Sequence, residues 1–146
     1  MKNTLIKSYS AFYLVLLSAV LITGCSMKLV ADYDQMSVTN LEMINKKIDR
    51  LYLTMKMLPE VQRTYSHFQQ NYLDIDVDIR AYERRQQLRE QNEESVKQAT
   101  ILADLWQQDM QAHKQKNTLS DFMIKRRQAQ YQRLLSSMIE AEMAKQ

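Results

Sequence analysis

From Ser26 to Gln146 the chain contains no glycine, and its only proline is Pro59. Glycine supplies the positive φ angles of tight β-hairpin turns, a task that otherwise falls to Asn or Asp. A stretch this long without glycine is poorly equipped to reverse direction every few residues. What it holds instead is Gln, Lys, Arg, Glu, Leu, Met and Ala, residues that lose little on entering a helix. The sequence therefore predicts an all-α fold with few, well-separated connections.

Apolar spacing supplies the elements. A first helix is expected to start near Ser37 or Thr39, where Thr39 and Glu42 fit a capping box. Leu41, Ile44, Ile48, Leu51, Met55 and Leu58 then recur at steps of three and four, which places them on one stripe. Pro59 ends this helix, because it lacks an amide hydrogen and disfavours α geometry at Leu58. It can equally open the next one. The second stripe is Val61, Tyr65, Phe68, Tyr72, Ile75, Ile79 and Tyr82, followed by a nearly all-polar run, 83–91, expected to prolong the helix as a solvated end. Asn92, with Glu93 and Glu94 behind it, is the expected N-cap of a third helix. Its inward set is Val96, Ala99, Leu102, Ala103, Trp106 and Met110. After a polar break at 114–117, Thr118 is the expected cap of a fourth helix that presents Phe122, Ile124, Tyr131, Leu134, Leu135, Met138 and Ala141. At about 21, 32, 23 and 28 residues the rods are unequal, so the second should overhang its partners. Short connections favour an antiparallel up-and-down bundle of three to four helices over residues 37–146. Seams of this spacing also permit a homo-oligomer through a coiled coil with a second copy.

The region upstream follows another pattern. Lys2 and Lys7 precede an uncharged apolar run, Tyr9 to Ile22, that ends in small residues, the layout of a secretory signal peptide. At about 15 residues the run falls short of the ~20 needed to span a bilayer as a helix. It closes on Ile22-Thr23-Gly24-Cys25, which holds the only glycine and the only cysteine of the chain. A lone cysteine in an exported protein has no disulfide partner within its own chain. These four residues resemble the lipobox of bacterial lipoproteins. The resemblance implies a diacylglyceryl thioether on Cys25, signal-peptidase cleavage of the Gly24–Cys25 bond, and acylation of the new amino group. It implies 1–24 as signal peptide and 25–36 as lipidated tether. The only prosthetic group implied is the covalent lipid on Cys25, and the membrane is the first partner. Ser26 is not the aspartate associated with inner-membrane retention, so the expected address is the outer membrane, facing the periplasm.

Charge and chemistry narrow the function. Removing residues 1–24 takes away two lysines and no acid, leaving 18 basic against 17 acidic residues, a net +1. That balance gives no electrostatic case for nucleic acid. Asp74, Asp76 and Asp78 open like a calcium loop, but Ile79 and Arg85 stand where glycine and glutamate are required. On a helix Asp74 and Asp78 share a face, and Asp76 has Arg80 one turn on. Met55 and Met57 cannot share a soft metal from one helix, because Met55 lies on the seam and Met57 does not; methionine as adaptable filler or binding surface is the plainer reading. His67 and His113 lack metal-ligand spacing, and His113 near a helix C-terminus suits the local dipole. Two basic clusters, Arg84-Arg85 with Arg89 and Lys125-Arg126-Arg127, are expected to be solvated faces, or to meet anionic envelope material. No glycine-dependent catalytic signature can be built after residue 24. No catalytic or metal-binding residue is expected, and the reading is non-enzymatic.

Tyr72 opening an amphipathic run, Asn92 starting the next helix, His113 near its end and the closing Glu140-Ala141-Glu142-Met143-Ala144-Lys145 resemble a group of small bacterial helical envelope lipoproteins that has no assigned activity. The resemblance implies fold and location only. The expected function is a lipid-anchored, periplasm-facing helical lipoprotein that binds or scaffolds another envelope protein. The alternative is an immunity or exclusion lipoprotein that inhibits an incoming toxin, phage or plasmid.

Overall fold

A computed structural model describes residues 30–146. They form four α-helices: α1 Gln35–Lys56, α2 Tyr65–Gln87, α3 Glu93–Lys116 and α4 Asp121–Met143, with a short 3-10 turn at Glu60–Gln62 between the first two. Among the described residues there is no strand. The chain runs up and down, so α1 lies antiparallel to both α2 and α4. The pairs α1–α4 and α2–α3 pack along most of their length, α1 and α2 join the pairs, and α3–α4 is the loosest seam. This is the expected antiparallel bundle.

The stripes supply the core. Leu41, Ile44, Ile48, Leu51 and Met55 of α1 are buried, as are Phe68, Tyr72, Ile75, Ile79 and Tyr82 of α2. Ala99, Leu102, Trp106 and Met110 of α3 meet Ile124, Tyr131, Leu135 and Met138 of α4 in the same cluster. Burying each large side chain is worth about 1.5–3 kcal/mol, which is what makes four marginal helices one stable body. An aromatic belt crosses the middle: ring centroids of Tyr72 and Trp106 are 5.2 Å apart, and those of Trp106 and Tyr131 5.7 Å. The Trp106 indole donates to the Tyr72 carbonyl at 3.3 Å. Within the described residues 30–146 the four helices, their caps and the core they share are all present.

The ends of the helices depart from the sequence reading. Asp34, not Thr39, caps α1, its carboxylate accepting from the Met36 amide. Thr39 lies inside the helix and donates to the Gln35 carbonyl at 3.0 Å. Val61 is not on the α2 seam. Pro59 sits at φ −56, ψ 147, the chain then makes a 3-10 turn, and α2 starts only after Thr64, which accepts from the His67 amide. The polar run after Tyr82 does not overhang: α2 stops at Gln87, and the four helices have 22, 23, 24 and 23 residues. Asn92 occupies the N-cap position of α3 but makes no capping bond. Ser120, not Thr118, caps α4. Phe122 points out, because it falls on the opposite side of α4 from Ile124 and Tyr131. Two connections do need a left-handed residue, and without glycine it is Gln91 (φ 54) and Asn117 (φ 57) that supply it. Asn tolerates that region well; Gln is the more strained choice.

Candidate functional site: where the chain joins the bundle

Ile22, Thr23, Gly24 and Cys25, the residues of the expected lipidation and cleavage site, lie outside the described residues. The first described residues show how the chain arrives. The expected tether ran to residue 36, but Ala31 is already buried, and its amide donates to the Gln91 carbonyl at 2.8 Å. Arg89 Nη2 donates to the Asp32 carbonyl. The Asp34 amide donates to Glu142 Oε1 at 2.8 Å, although 108 positions separate the two residues. The Asp34 carboxylate accepts both arms of the Arg85 guanidinium, at 2.8 and 2.9 Å, and the Ser37 hydroxyl at 2.7 Å. Chain entering the bundle is therefore bolted to α2 and α4 before α1 begins.

Behind these bolts lies a closed polar layer. Gln86 Nε2 donates to the Ser37 hydroxyl at 2.8 Å, and Asn92 Nδ2 donates to the Gln86 side-chain oxygen at 2.9 Å. Lys145 Nζ reaches Asn92 Oδ1 at 3.1 Å, Ser95 Oγ at 2.9 Å and Glu142 Oε2 at 2.6 Å. Arg89 Nη2 donates to Glu142 Oε1 at 2.9 Å. Glu142 is only 2% exposed. Burial by itself would raise its pKa, but donors from Arg89, Lys145 and the Asp34 amide outweigh that and hold it below the usual glutamate value. Asp34 is held well below the carboxylate range, chiefly by the Arg85 hydrogen bonds. Each of these carboxylates is saturated with donors, which is the chemistry of gripping a backbone in place.

Sequence reasoning missed this layer, yet its mark is present. Ser37 lies four residues before Leu41, Gln86 four after Tyr82, Ser95 four before Ala99 and Glu142 four after Met138. Each apolar stripe is thus continued by one polar residue, and the up-and-down topology brings all four to the same end. The expectation of a solvated basic face holds for Arg84 and for Arg85, which stays 42% exposed while it grips Asp34; Arg89 turns into the clamp. His113 is not a dipole-suited surface group. It is fully buried, Nε2 donates to the Arg63 carbonyl at 2.8 Å, and so Nδ1 accepts from the Tyr72 hydroxyl at 3.0 Å. Burial lowers its pKa and keeps it neutral.

The second basic cluster also divides. Lys125 and Arg126 face solvent, whereas Arg127 is 4% exposed. Its Nε lies 3.0 Å from Asp109 Oδ1, but the N–H is misaligned for a hydrogen bond and Nη1 has no acceptor. Tyr131 donates to the other Asp109 oxygen at 3.0 Å. Burial raises the Asp109 pKa in spite of both neighbours. The three aspartates of α2 disperse to separate partners: Asp74 to Gln70, Asp76 to Arg80 and Gln107, Asp78 to Lys47. Among the described residues no cluster of three or more His, Cys, Asp or Glu side chains could hold a metal ion. Met55 is fully buried and Met57 exposed, so they face apart as their spacing implied.

Surface concavities are shallow; one of about 180 Å³ between α1 and α2 is lined by Arg50, Thr54, Asn71 and Asp74 among others. No described helix is long and apolar enough to cross a membrane. Comparison of the chain with protein families, curated proteins and solved structures finds no match.

Proposed function

We propose that this protein is a lipid-anchored, non-enzymatic helical lipoprotein of the bacterial envelope, held at the outer membrane through Cys25 and facing the periplasm, where it binds or scaffolds another envelope protein. The observation that carries the reading is the clamp. Cys25 precedes Ala31 by only six positions in the sequence, a reach of no more than about 21 Å of extended chain at ~3.5 Å per residue. A segment bolted by Arg85, Arg89 and Glu142 would pass orientation from a lipid into the fold, as a loose tether would not. The lipobox resemblance at Ile22–Cys25 supports the same reading.

The test is metabolic labelling with a palmitate analogue, comparing wild type with Cys25→Ala, followed by crosslinking and pull-down from membranes. The expected result is label on the wild type alone and a specific envelope protein recovered with it. Unlabelled wild-type protein, released freely on cell lysis, would remove the anchor. Recovery of nothing beyond processing and sorting machinery would remove the scaffold role.

A further inference from the structure

The end of the bundle opposite the clamp carries a second feature, and it stands apart from the anchor. Twenty residues of α4 separate Glu142 in the clamp from Phe122, which at ~1.5 Å per residue is about 30 Å. At this far tip three large apolar side chains project into solvent: Met57 at 84% exposure, Val61 at 78% and Phe122 at 72%. Met57 and Val61 come from the α1–α2 connection and Phe122 from the first turn of α4. Arg63 stitches the α1–α2 connection to the start of α4, donating to the Leu58 and Leu119 carbonyls at 2.9 and 3.0 Å and pairing with Asp121 at 2.8 Å. The three side chains thus sit on one rigid platform rather than on independent loops.

Charge gathers at the same end. Cutting each helix at its midpoint, the far half (46–76 and 105–131) holds ten basic and six acidic residues, a net +4. The clamp half (30–45, 77–104 and 132–146) holds seven basic and eleven acidic, a net −4. Around the tip stand Lys56, Lys114, Lys116, Lys125 and Arg126, none with a carboxylate at ion-pair distance among the described residues. The first three complement helix C-termini, and helix stability accounts for them. Lys125 and Arg126 do not fit that account, since they stand in the second turn from the N-terminus of α4, where a cation gains nothing from the dipole. Of the six acids in the far half, the two beside the three apolar side chains are Asp121, which pairs with Arg63, and Glu60.

We propose that this tip is a membrane-surface contact that inserts Met57, Val61 and Phe122 into the headgroup–acyl boundary of an anionic bilayer while the surrounding cations meet lipid phosphates. Exposed apolar side chains carried on separate segments would each need a matching pocket in a protein partner. A bilayer interface deforms around them and supplies negative charge at the same level. Flexible Met57 suits such a medium, and the lysines bury their methylenes and keep their ammonium groups at the headgroups. The proposal does not depend on Cys25, and it fails or stands separately from the anchor.

The test is flotation of residues 30–146 with vesicles of phosphatidylcholine plus phosphatidylglycerol, with vesicles of phosphatidylcholine alone, and with soluble polyglutamate. The expected result is binding to the anionic vesicles that is lost near 1 M salt, where the screening length is about 3 Å. The triple variant Met57→Ser, Val61→Ser, Phe122→Ser should keep its helical dichroism, since all three side chains are exposed, and should bind about tenfold or more weakly. Lys125→Gln with Arg126→Gln should weaken binding to anionic vesicles and leave the fold intact. Failure to float with anionic vesicles, equal binding by the triple variant, or equal binding to phosphatidylcholine alone would each overturn the proposal. Binding to polyglutamate but not to vesicles would overturn it in favour of an acidic macromolecule.

Discussion

Replacing Glu142 with alanine tests the clamp directly. The substitution removes the acceptor of the Asp34 amide and strands two cations, Arg89 with 16% of its side chain exposed and Lys145 with 10%. Removing one partner of a buried ion pair costs about 3–5 kcal/mol, because the remaining charge is left uncompensated. The partial exposure of both cations places this case at the lower limit, about 3 kcal/mol. For a domain of this size that corresponds to a fall in Tm of about 10 °C and in the urea midpoint of about 1.5 M. Glu142→Gln keeps the shape and a neutral acceptor, and should lose about 1–2 kcal/mol. Because the folded-state pKa of Glu142 lies below its unfolded value, the unfolded chain binds more protons between the two. The contribution is therefore present above the unfolded pKa and lost as pH falls through the folded one, so the wild-type advantage over Glu142→Gln should shrink from about pH 5 downward. Hydrogen exchange at the Ala31 and Asp34 amides gives the local readout: both should exchange faster in Glu142→Ala, in step with the loss of the clamp. The reasoning is refuted if Glu142→Ala costs less than about 1 kcal/mol, or if those two amides stay protected as in the wild type.

Two further outcomes follow from the core. Asp109→Ala alone should destabilise the fold by about 3–5 kcal/mol by stranding Arg127, whereas Asp109→Leu with Arg127→Met and Tyr131→Phe should be neutral or stabilising, because Nη1 of Arg127 already lacks an acceptor and the Tyr131 hydroxyl that donates to Asp109 goes with its partner; denaturant melts of the single and combined variants decide between these. His113, neutral and with its pKa lowered by burial, contributes stability that is complete above the unfolded histidine value and drains away as pH falls through the lowered folded value. Nuclear magnetic resonance titration should give it a midpoint below about 6.5, the ordinary histidine value, and a midpoint at or above that value would contradict the hydrogen-bond assignment to Arg63 and Tyr72.

Local physics made the helices legible. Without glycine the chain had few ways to turn, and steps of three and four made Leu41 to Met55, Phe68 to Tyr82, Ala99 to Met110 and Ile124 to Met138 the buried faces. Those facts depend only on residues a turn or two apart, and the class of fold followed from them. Ends of helices were less legible, because a cap is a competition among neighbouring oxygens. Asp34 won over Thr39 because Arg85 and Ser37, brought from α2 and the first turn of α1, hold its carboxylate in place; Val61 left the seam because the chain after Pro59 made a 3-10 turn.

What only the tertiary structure decided is which polar residues meet. Glu142 and Asp34 are 108 positions apart, and no periodicity says that a glutamate at the end of α4 will take the amide that precedes α1. The same holds for Arg127, which sits in a run of three cations yet turns inward because α3 places Asp109 opposite it. Side-chain identity fixes how much charge a helix carries. Only the packing of one helix on another fixes the dielectric around that charge and the partner that answers it.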